Sequence, residues 1–150
     1  MKENYAFVMM IKDKWWREFC RVKSEGRDVY SYVEGGWAPP RSASLVFFYV
    51  TKPARQIAAY AEFIERKVGD AKRLWKEHGP ESVLSSEEKY LEFVKGKERV
   101  SFIRFKNLKE ATEPIPLDKI LALLGLRRLS RKGFYVDKEA ANDMLTLMKC

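Results

Sequence analysis

The chain has 150 residues, of which 46% are hydrophobic, 13% aromatic and 33% charged. This composition excludes an intrinsically disordered chain and two independent enzyme domains, and it predicts one globular domain over residues 1–150. No segment reaches about 18 consecutive apolar residues, so we expect no membrane span, and Lys12 and Asp13 interrupt the first apolar run too early for a signal peptide.

Basic side chains outnumber acidic ones by 29 to 21, which gives a formal net charge of +8. Such a charge favours polyanionic partners and says little about fold. The two cysteines, Cys20 and Cys150, are too few for a disulfide framework or a zinc site, so we expect a cytoplasmic protein without metal or cofactor. Abundant Lys, Arg and Glu beside the single glutamine, Gln56, are typical of thermophiles.

The first half of the chain is predicted to hold four strands and one helix. The strands cover residues 5–11, 27–33, 45–51 and 56–66, and the helix covers residues 14–23 with Asp13 as its cap. Residues 35–41 form a loop because their glycines and prolines exclude both a helix and an interior strand.

The second half is predicted to hold four helices and two strands. Helices cover residues 70–77, a segment capped by Ser85 or Ser86, residues 117–124 and a segment starting near Asp137; strands cover residues 99–108 and 134–136. We expect the single histidine, His78, to be structural at its helix end. The order of elements, with antiparallel neighbours, predicts an α+β fold: a small, partly open mixed barrel of five to six strands with peripheral helices.

Several short motifs occur along the chain in an order known from one protein family. They are the turn Thr51-Lys52-Pro53 between two strands, the Trp-centred helix over residues 72–79, the helix through Tyr90 and Phe93, the segment Glu113–Leu117, which is similar to a "KPIPL" element, and the segment Arg131–Tyr135, which is similar to a late "PP-x-x-F/Y" strand. Together they resemble the archaeal ASCH-type, PUA-like predicted RNA-binding proteins over about residues 5–147. The resemblance implies a PUA-like fold that binds RNA.

Residues 26–33 depart from the family's G-x-K-x-x-E/T-x-R motif and keep only Gly26. In family members that hydrolyse acylated nucleosides, this motif supplies a lysine and a threonine that act with a later glutamate. The activating lysine is absent from the matching position here. A hydrolase of modified nucleosides therefore stays an alternative, acting through Ser31 or Thr51 with Glu62 and Lys52.

Trp37 is the first candidate for contact with a nucleic acid. An exposed aromatic side chain on a rigid loop next to Arg41 offers a stacking platform for a base together with an anchor for phosphate. Arg27 is expected in the same cleft. Two alternatives stay open: Trp37 folds back as a lid over the barrel end, or Trp37 and Phe134 bind a protein partner.

Two basic segments are candidates for phosphate contacts, and solvated loops are their alternative. One is the turn with Lys52 and Arg55, and the other is the loop over residues 126–133, which has four cations within six residues. The sequence thus predicts a module that binds RNA or a nucleotide-like ligand without catalysis. Its predicted nucleic-acid-binding residues are Arg27, Trp37, Arg41, Lys52, Arg55, Arg131 and Lys132.

Overall fold

The structure is a computed structural model that describes residues 4–149. Within these residues one mixed sheet has the strand order β2-β5-β4-β3-β1-β6, in which β1 and β3 are parallel and the other neighbours are antiparallel. The strands are β1 (Ala6–Ile11), β2 (Val29–Gly35), β3 (Leu45–Val50), β4 (Gln56–Asp70), β5 (Arg99–Pro116) and β6 (Phe134–Val136). The predicted α+β class with six strands is therefore confirmed.

The helices are α1 (Asp13–Ser24), α2 (Ala71–His78), α3 (Glu87–Phe93), α4 (Leu117–Leu124) and α5 (Lys138–Met148), with a short 3₁₀ helix at Gly79–Glu81. Side chains of Asp70, Ser86 and Asp137 accept backbone hydrogen bonds at the starts of α2, α3 and α5. The predicted cap at Asp13 is wrong: Lys12 precedes α1, and the Asp13 carboxylate lies inside the first turn, paired with Arg17 at 2.7 Å. No helix in the described part of the chain is long and apolar enough to cross a bilayer.

The sheet is strongly curled but does not close. Strands β1 and β2 have three strands between them in the sheet, yet Phe7 and Tyr30 share one hydrophobic cluster, into which α1 inserts Phe19 and Val22. The opposite face is covered by α4 and α5 at one end and by α2 and α3 at the other. The two ends of the sheet therefore face each other across a gap that α1 fills in part.

Strands β4 and β5 are longer than predicted. They pair with each other from Gln56 opposite Pro116 to Asp70 opposite Arg99, with three register shifts along the way. This long pair crosses the whole molecule. It places the β3–β4 turn next to the start of α4, where the Arg55 carbonyl accepts a hydrogen bond from the Leu117 N–H at 3.1 Å.

Candidate functional site

A cavity of about 280 Å³ lies between β1 and β2, strands near opposite ends of the sheet. The loops that follow β2 and precede β6 complete its rim. It is lined by Phe7, Met9, Met10, Tyr32, Glu34, Gly35, Trp37, Ala38, Pro39, Ile103, Arg131 and Lys132. We call it the outer-strand cavity. It brings together three of the residues that the sequence singled out, Trp37, Arg131 and Lys132.

The Trp37 side chain is held in place although it is 69% exposed. The buried hydroxyl of Ser101 donates to the carbonyl of Gly36 at 2.6 Å and accepts from the N–H of Ala38 at 2.9 Å, so it clamps the backbone on both sides of Trp37. The Arg66 guanidinium donates to the Ala38 carbonyl at 3.1 Å and lies 5.6 Å from the centre of the indole ring. A cation over an aromatic face stabilises its orientation. The loop therefore presents a fixed indole.

Tyr32 and Glu34 lie two positions apart on β2, so both side chains point to the same face of the strand and line the cavity. Glu34 is exposed at the rim, yet desolvation by the surrounding protein raises the pKa of its carboxyl. Desolvation also raises the pKa of Tyr32, and the nearby charge of Glu34 adds to that shift. The phenol stays protonated at neutral pH and is available as a hydrogen-bond donor.

A second cavity of about 380 Å³ adjoins the first, and the two share Met10 and Arg131 in their linings. Its lining is formed by Met10, Tyr49, Thr51, Lys52, Arg55, Leu117, Leu121, Arg127, Arg128, Leu129, Ser130 and Arg131. We call it the basic cavity. The two basic segments predicted from sequence thus meet here, because the β3–β4 turn and the loop between α4 and β6 lie on the same side of the molecule.

Local contacts fix the loop between α4 and β6. Gly125 ends α4 in the left-handed conformation, with φ at 67°, and Leu126 N–H donates to the Leu121 carbonyl at 2.9 Å. At the other end, Gly133 has φ at 82°, and a Cβ there would lie 2.5 Å from the Val8 carbonyl oxygen. Glycine is therefore required at residue 133 for both conformation and space. The backbone that carries the cations of this loop is therefore fixed at both ends.

Among the described residues, the cations around the two cavities have no acidic partner at salt-bridge distance. Within residues 4–149, no carboxylate lies within 4.0 Å of the charged atoms of Lys52, Arg55, Arg127, Arg128, Arg131 or Lys132. All six residues are exposed. By contrast, Arg17 and Arg21 on α1 each pair with a carboxylate. Six unpaired cations on one face produce a positive potential that attracts polyanions.

The two remaining predicted site residues, Arg27 and Arg41, line neither cavity. Arg27 donates through its guanidinium to the Ser82 carbonyl at 2.7 Å and lines a separate cavity with Arg21 and Lys76, which shares no lining residue with the two cavities above. Arg41 is exposed just beyond the rim, and its backbone N–H donates to the Tyr135 hydroxyl at 2.9 Å. The structure therefore brings Arg41 near the outer-strand cavity and keeps Arg27 away from it.

The residues of the hydrolase alternative are divided between different places: Thr51 and Lys52 line the basic cavity, whereas Ser31 and Glu62 lie outside it. Ser31 is 1% exposed, and its hydroxyl donates to Glu81 at 2.8 Å. Glu62 accepts a hydrogen bond from Asn107 instead, on the exposed surface. His78 Nδ1 lies 3.3 Å from Glu81, so it belongs to the same structural network as Ser31. A buried nucleophile with a satisfied hydroxyl is out of reach of a substrate.

In the described part of the chain, no group of three or more His, Cys, Asp and Glu residues is placed to hold a metal ion. Cys20 donates to Glu110 at 3.2 Å, and desolvation together with that carboxylate raises the pKa of the thiol to about 12. The thiol is therefore protonated at neutral pH. It contributes to packing and hydrogen bonding on α1.

Sequence reasoning missed Glu34 and the partners of Trp37. The predicted strand ended at Val33 and the predicted loop began at Gly35, so Glu34 was assigned to neither. The spacing of two between Tyr30, Tyr32 and Glu34, which places them on one face of a strand, was the available signal. Ser101 and Arg66 gave no local signal, because their partners lie 65 and 28 residues away along the chain.

No protein-family model matches the chain. In sequence it is similar to an ASCH domain-containing ribonuclease of Zymomonas mobilis, with 26% identity over 132 residues, which are 88% of this chain and 87% of that protein.

Solved structures with a similar fold include two of the ASCH protein from Zymomonas mobilis. One has a TM-score of 0.77, 18% identity and coverage of 97% of this chain and 96% of that chain; the other, a serine-to-alanine mutant, has a TM-score of 0.76, 19% identity and coverage of 98% and 99%. An NMR structure of a Rhodopseudomonas palustris protein follows at a TM-score of 0.52, with 12% identity and coverage of 97% and 93%. The chain therefore has the fold of the ASCH structures and is a sequence relative of an ASCH-domain protein.

Proposed function

We propose that this protein binds single-stranded RNA across the outer-strand cavity and the basic cavity. The six cations on one face, which have no carboxylate partner in the described part of the chain, carry the proposal. Trp37 stacks on a base at one end of this surface, and the cations contact consecutive phosphates along it. The similarity to an ASCH domain-containing ribonuclease supports RNA as the polyanion.

The surface suits a flexible strand better than a duplex. A fixed, exposed indole stacks on a base only when that base is unstacked from its neighbours, as in single-stranded RNA. Arg131 lines both cavities, so one cation adjoins both a base in the first cavity and a phosphate in the second. Arg41 extends the positive surface at the rim, and Arg27 takes no part in it.

Charge reversal with a salt titration tests the phosphate contacts. We expect the double variant Arg131→Glu, Lys132→Glu to bind a labelled RNA oligonucleotide more weakly and to lower the slope of log K against log salt by about 1.4 in magnitude, because each lost contact with a single strand removes about 0.7. The matched control is Lys89→Glu, Lys95→Glu, which changes net charge equally at exposed positions of α3 and the turn after it. Equal slopes for both double variants would contradict the proposal.

The stacking role of Trp37 has a separate test. Replacing an aromatic side chain that stacks on a base costs about 1–3 kcal/mol, so we expect Trp37→Ala to weaken RNA binding about tenfold. The melting temperature should stay within about a degree, because the side chain is 69% exposed. If RNA affinity is unchanged while charge reversal still weakens it, Trp37 is not a stacking residue.

RNA cleavage is the second candidate, favoured by the activity in the name of the Zymomonas relative. Tyr49 and Ser130 line the basic cavity together with Arg127, Arg128 and Arg131. Tyrosine-to-phenylalanine and serine-to-alanine mutants of the Zymomonas protein have been crystallised. Incubation of labelled RNA with the purified protein tests this candidate. Breakdown of the RNA that persists with a chelator present and disappears in Ser130→Ala or Tyr49→Phe supports cleavage. RNA that stays intact contradicts cleavage and is consistent with binding only.

A further inference from the structure

Glu34 does not fit a surface that binds only phosphate. It lines the outer-strand cavity together with Arg131 and Lys132, and a carboxylate repels phosphate groups. Within the described residues, no hydrogen bond or ion pair engages the Glu34 side chain. Desolvation by the cavity walls raises the pKa of the carboxyl. The carboxylate lies at the rim, exposed to solvent, and is free to accept hydrogen bonds from a ligand.

The ligand must offer N–H donors to Glu34, a face to Trp37 and an adjoining phosphate to Arg131. Nucleobases in a single strand present their Watson–Crick edges to the protein. Guanine has two adjacent donors there, N1–H and the N2 amino group, which match the two oxygens of a carboxylate. It also has the O6 acceptor next to them, and Tyr32 supplies a protonated hydroxyl to the same cavity.

The other three bases fit this arrangement poorly. Adenine and cytosine each have one amino group beside an unprotonated ring nitrogen, whose lone pair would face a carboxylate oxygen. Uracil has one N–H between two carbonyl oxygens. We infer that the outer-strand cavity binds a guanine base of single-stranded RNA, with Glu34 accepting hydrogen bonds from N1–H and N2–H, Tyr32 donating to O6 and Trp37 stacking on the ring. This inference rests on the proposed function.

A set of short RNAs that differ only in the central base of an oligouridine tests the inference. At one fixed low salt concentration, we expect the guanine-containing RNA to bind at least about fivefold more tightly than the adenine, cytosine and uracil versions, since one good bidentate contact discriminates by that factor or more. An inosine version, which lacks the N2 amino group, should bind more weakly than guanine. Equal affinity of inosine and guanine would overturn the bidentate contact.

Glu34→Gln is the decisive variant, because it keeps the shape of the side chain and removes one of its two acceptors. We expect it to lose the preference for guanine and to bind the all-uridine RNA more tightly, because a negative charge is removed beside Arg131 and Lys132. Glu92→Gln, an exposed substitution on α3, is the control and should keep the preference. A preference for guanine that survives in Glu34→Gln would overturn the assignment.

The pH dependence gives an independent readout. As the pH is lowered, protonation of Glu34 removes a hydrogen-bond acceptor, and the preference for guanine should fall. Because the pKa of Glu34 is raised, this fall should begin at a pH above the usual titration range of a glutamate. Glu34→Gln should show no such change. Two failures are distinguishable. Salt-dependent binding of all four RNAs with equal affinity refutes guanine recognition and leaves the proposed function standing, whereas no binding of any RNA refutes both.

Discussion

Glu81 is the centre of a half-buried network, and its replacement by glutamine gives a prediction about stability. The Arg104 guanidinium donates to both oxygens of Glu81, at 2.9 Å each, and reaches Glu65 at 2.5 Å. Ser31 donates to Glu81 at 2.8 Å. The side chains of Arg104 and Glu81 are only 17% and 20% exposed. The network fastens the 3₁₀ helix to β2 and β5.

Glu81→Gln keeps the size of the side chain but turns an amino group towards Arg104, which has only donors. Hydrogen bonds to charged groups contribute about 1.5–3 kcal/mol each, and Arg104 keeps its ion pair with Glu65, which limits the loss. We expect the free energy of unfolding to fall by about 2–3 kcal/mol, which corresponds to roughly 5–10 °C in melting temperature for a chain of this length. Urea denaturation at neutral pH measures the loss.

The pH dependence of stability distinguishes the loss of the Glu81 charge from a packing defect, which would not depend on pH in this way. Desolvation raises the pKa of Glu81, but hydrogen bonds from Arg104 and Ser31 outweigh it, so the pKa lies below its usual value. A lowered pKa in the folded state stabilises the protein above the pKa of the unfolded state, about 4.3, and this contribution is lost as the pH falls through the folded value. The stability of the wild type should therefore approach that of Glu81→Gln in acid.

A constant difference in stability between neutral and acid pH would refute this reasoning, because it would mean that the charge of Glu81 is irrelevant. Glu77→Gln is the matched control. The Glu77 carboxylate is 50% exposed and lies 3.8 Å from His78, so its loss should change stability by less than about 0.5 kcal/mol.

Two further predictions concern single residues. Gly133→Ala should lower the free energy of unfolding by about 1–3 kcal/mol through steric overlap with β1, in addition to the strain of a positive φ. Gly96→Ala is the control, because Gly96 has a similar φ of 83° and nothing within 4 Å of an added Cβ, so it carries the strain alone. Equal losses in urea denaturation would contradict the overlap. In a Cys150→Ser background, Cys20 should react with a disulfide reagent at pH 8 far more slowly in the folded than in the unfolded protein, because its pKa is raised to about 12; equal rates would contradict the shift.

Elements with strong local signals were predictable from the sequence. The bounds of α4 agree with the prediction, because Pro116 before it and Gly125 after it mark both ends. The predicted cap at Ser85 or Ser86 is confirmed for Ser86, since a short polar side chain before an amphipathic segment satisfies the first free N–H groups. Asp13 gave the same signal and lies one position inside its helix. Local chemistry indicates a helix start to within about a residue.

The lengths of β4 and β5 were not predictable, because their ends are stabilised by each other. Residues 109–114 are mostly polar and have no hydrophobic alternation, yet Lys109 and Glu110 pair with Tyr60 and Ala59 across the ladder. Hydrogen bonds between segments about 50 residues apart cannot be recognised from the local pattern of hydrophobic residues. The parallel pairing of β1 with β3 is another non-local feature.

The candidate site was predictable where exposure and charge density determine it. Trp37 on its glycine- and proline-rich loop and the cations after α4 stand out in the sequence. The location of Arg27 did not follow from the sequence, because the cavity that a side chain lines depends on tertiary packing around Ser82. The roles of Trp37, Arg41, Lys52, Arg55, Arg131 and Lys132 in binding stay predictions.

The unclosed sheet explains why the candidate site is preformed. An outer strand exposes unpaired backbone N–H and C=O groups. Pairing the two ends of the sheet would satisfy these groups but would also eliminate the space between β1 and β2. Here α1 fills part of that space, and the loops of Trp37 and Arg131 border the rest. Both walls belong to strands that also form the core, so core packing fixes the cavity before any ligand arrives. A preformed cavity costs little ordering on binding. Substitutions at its rim should therefore change affinity alone, whereas substitutions in its walls should change affinity and stability together.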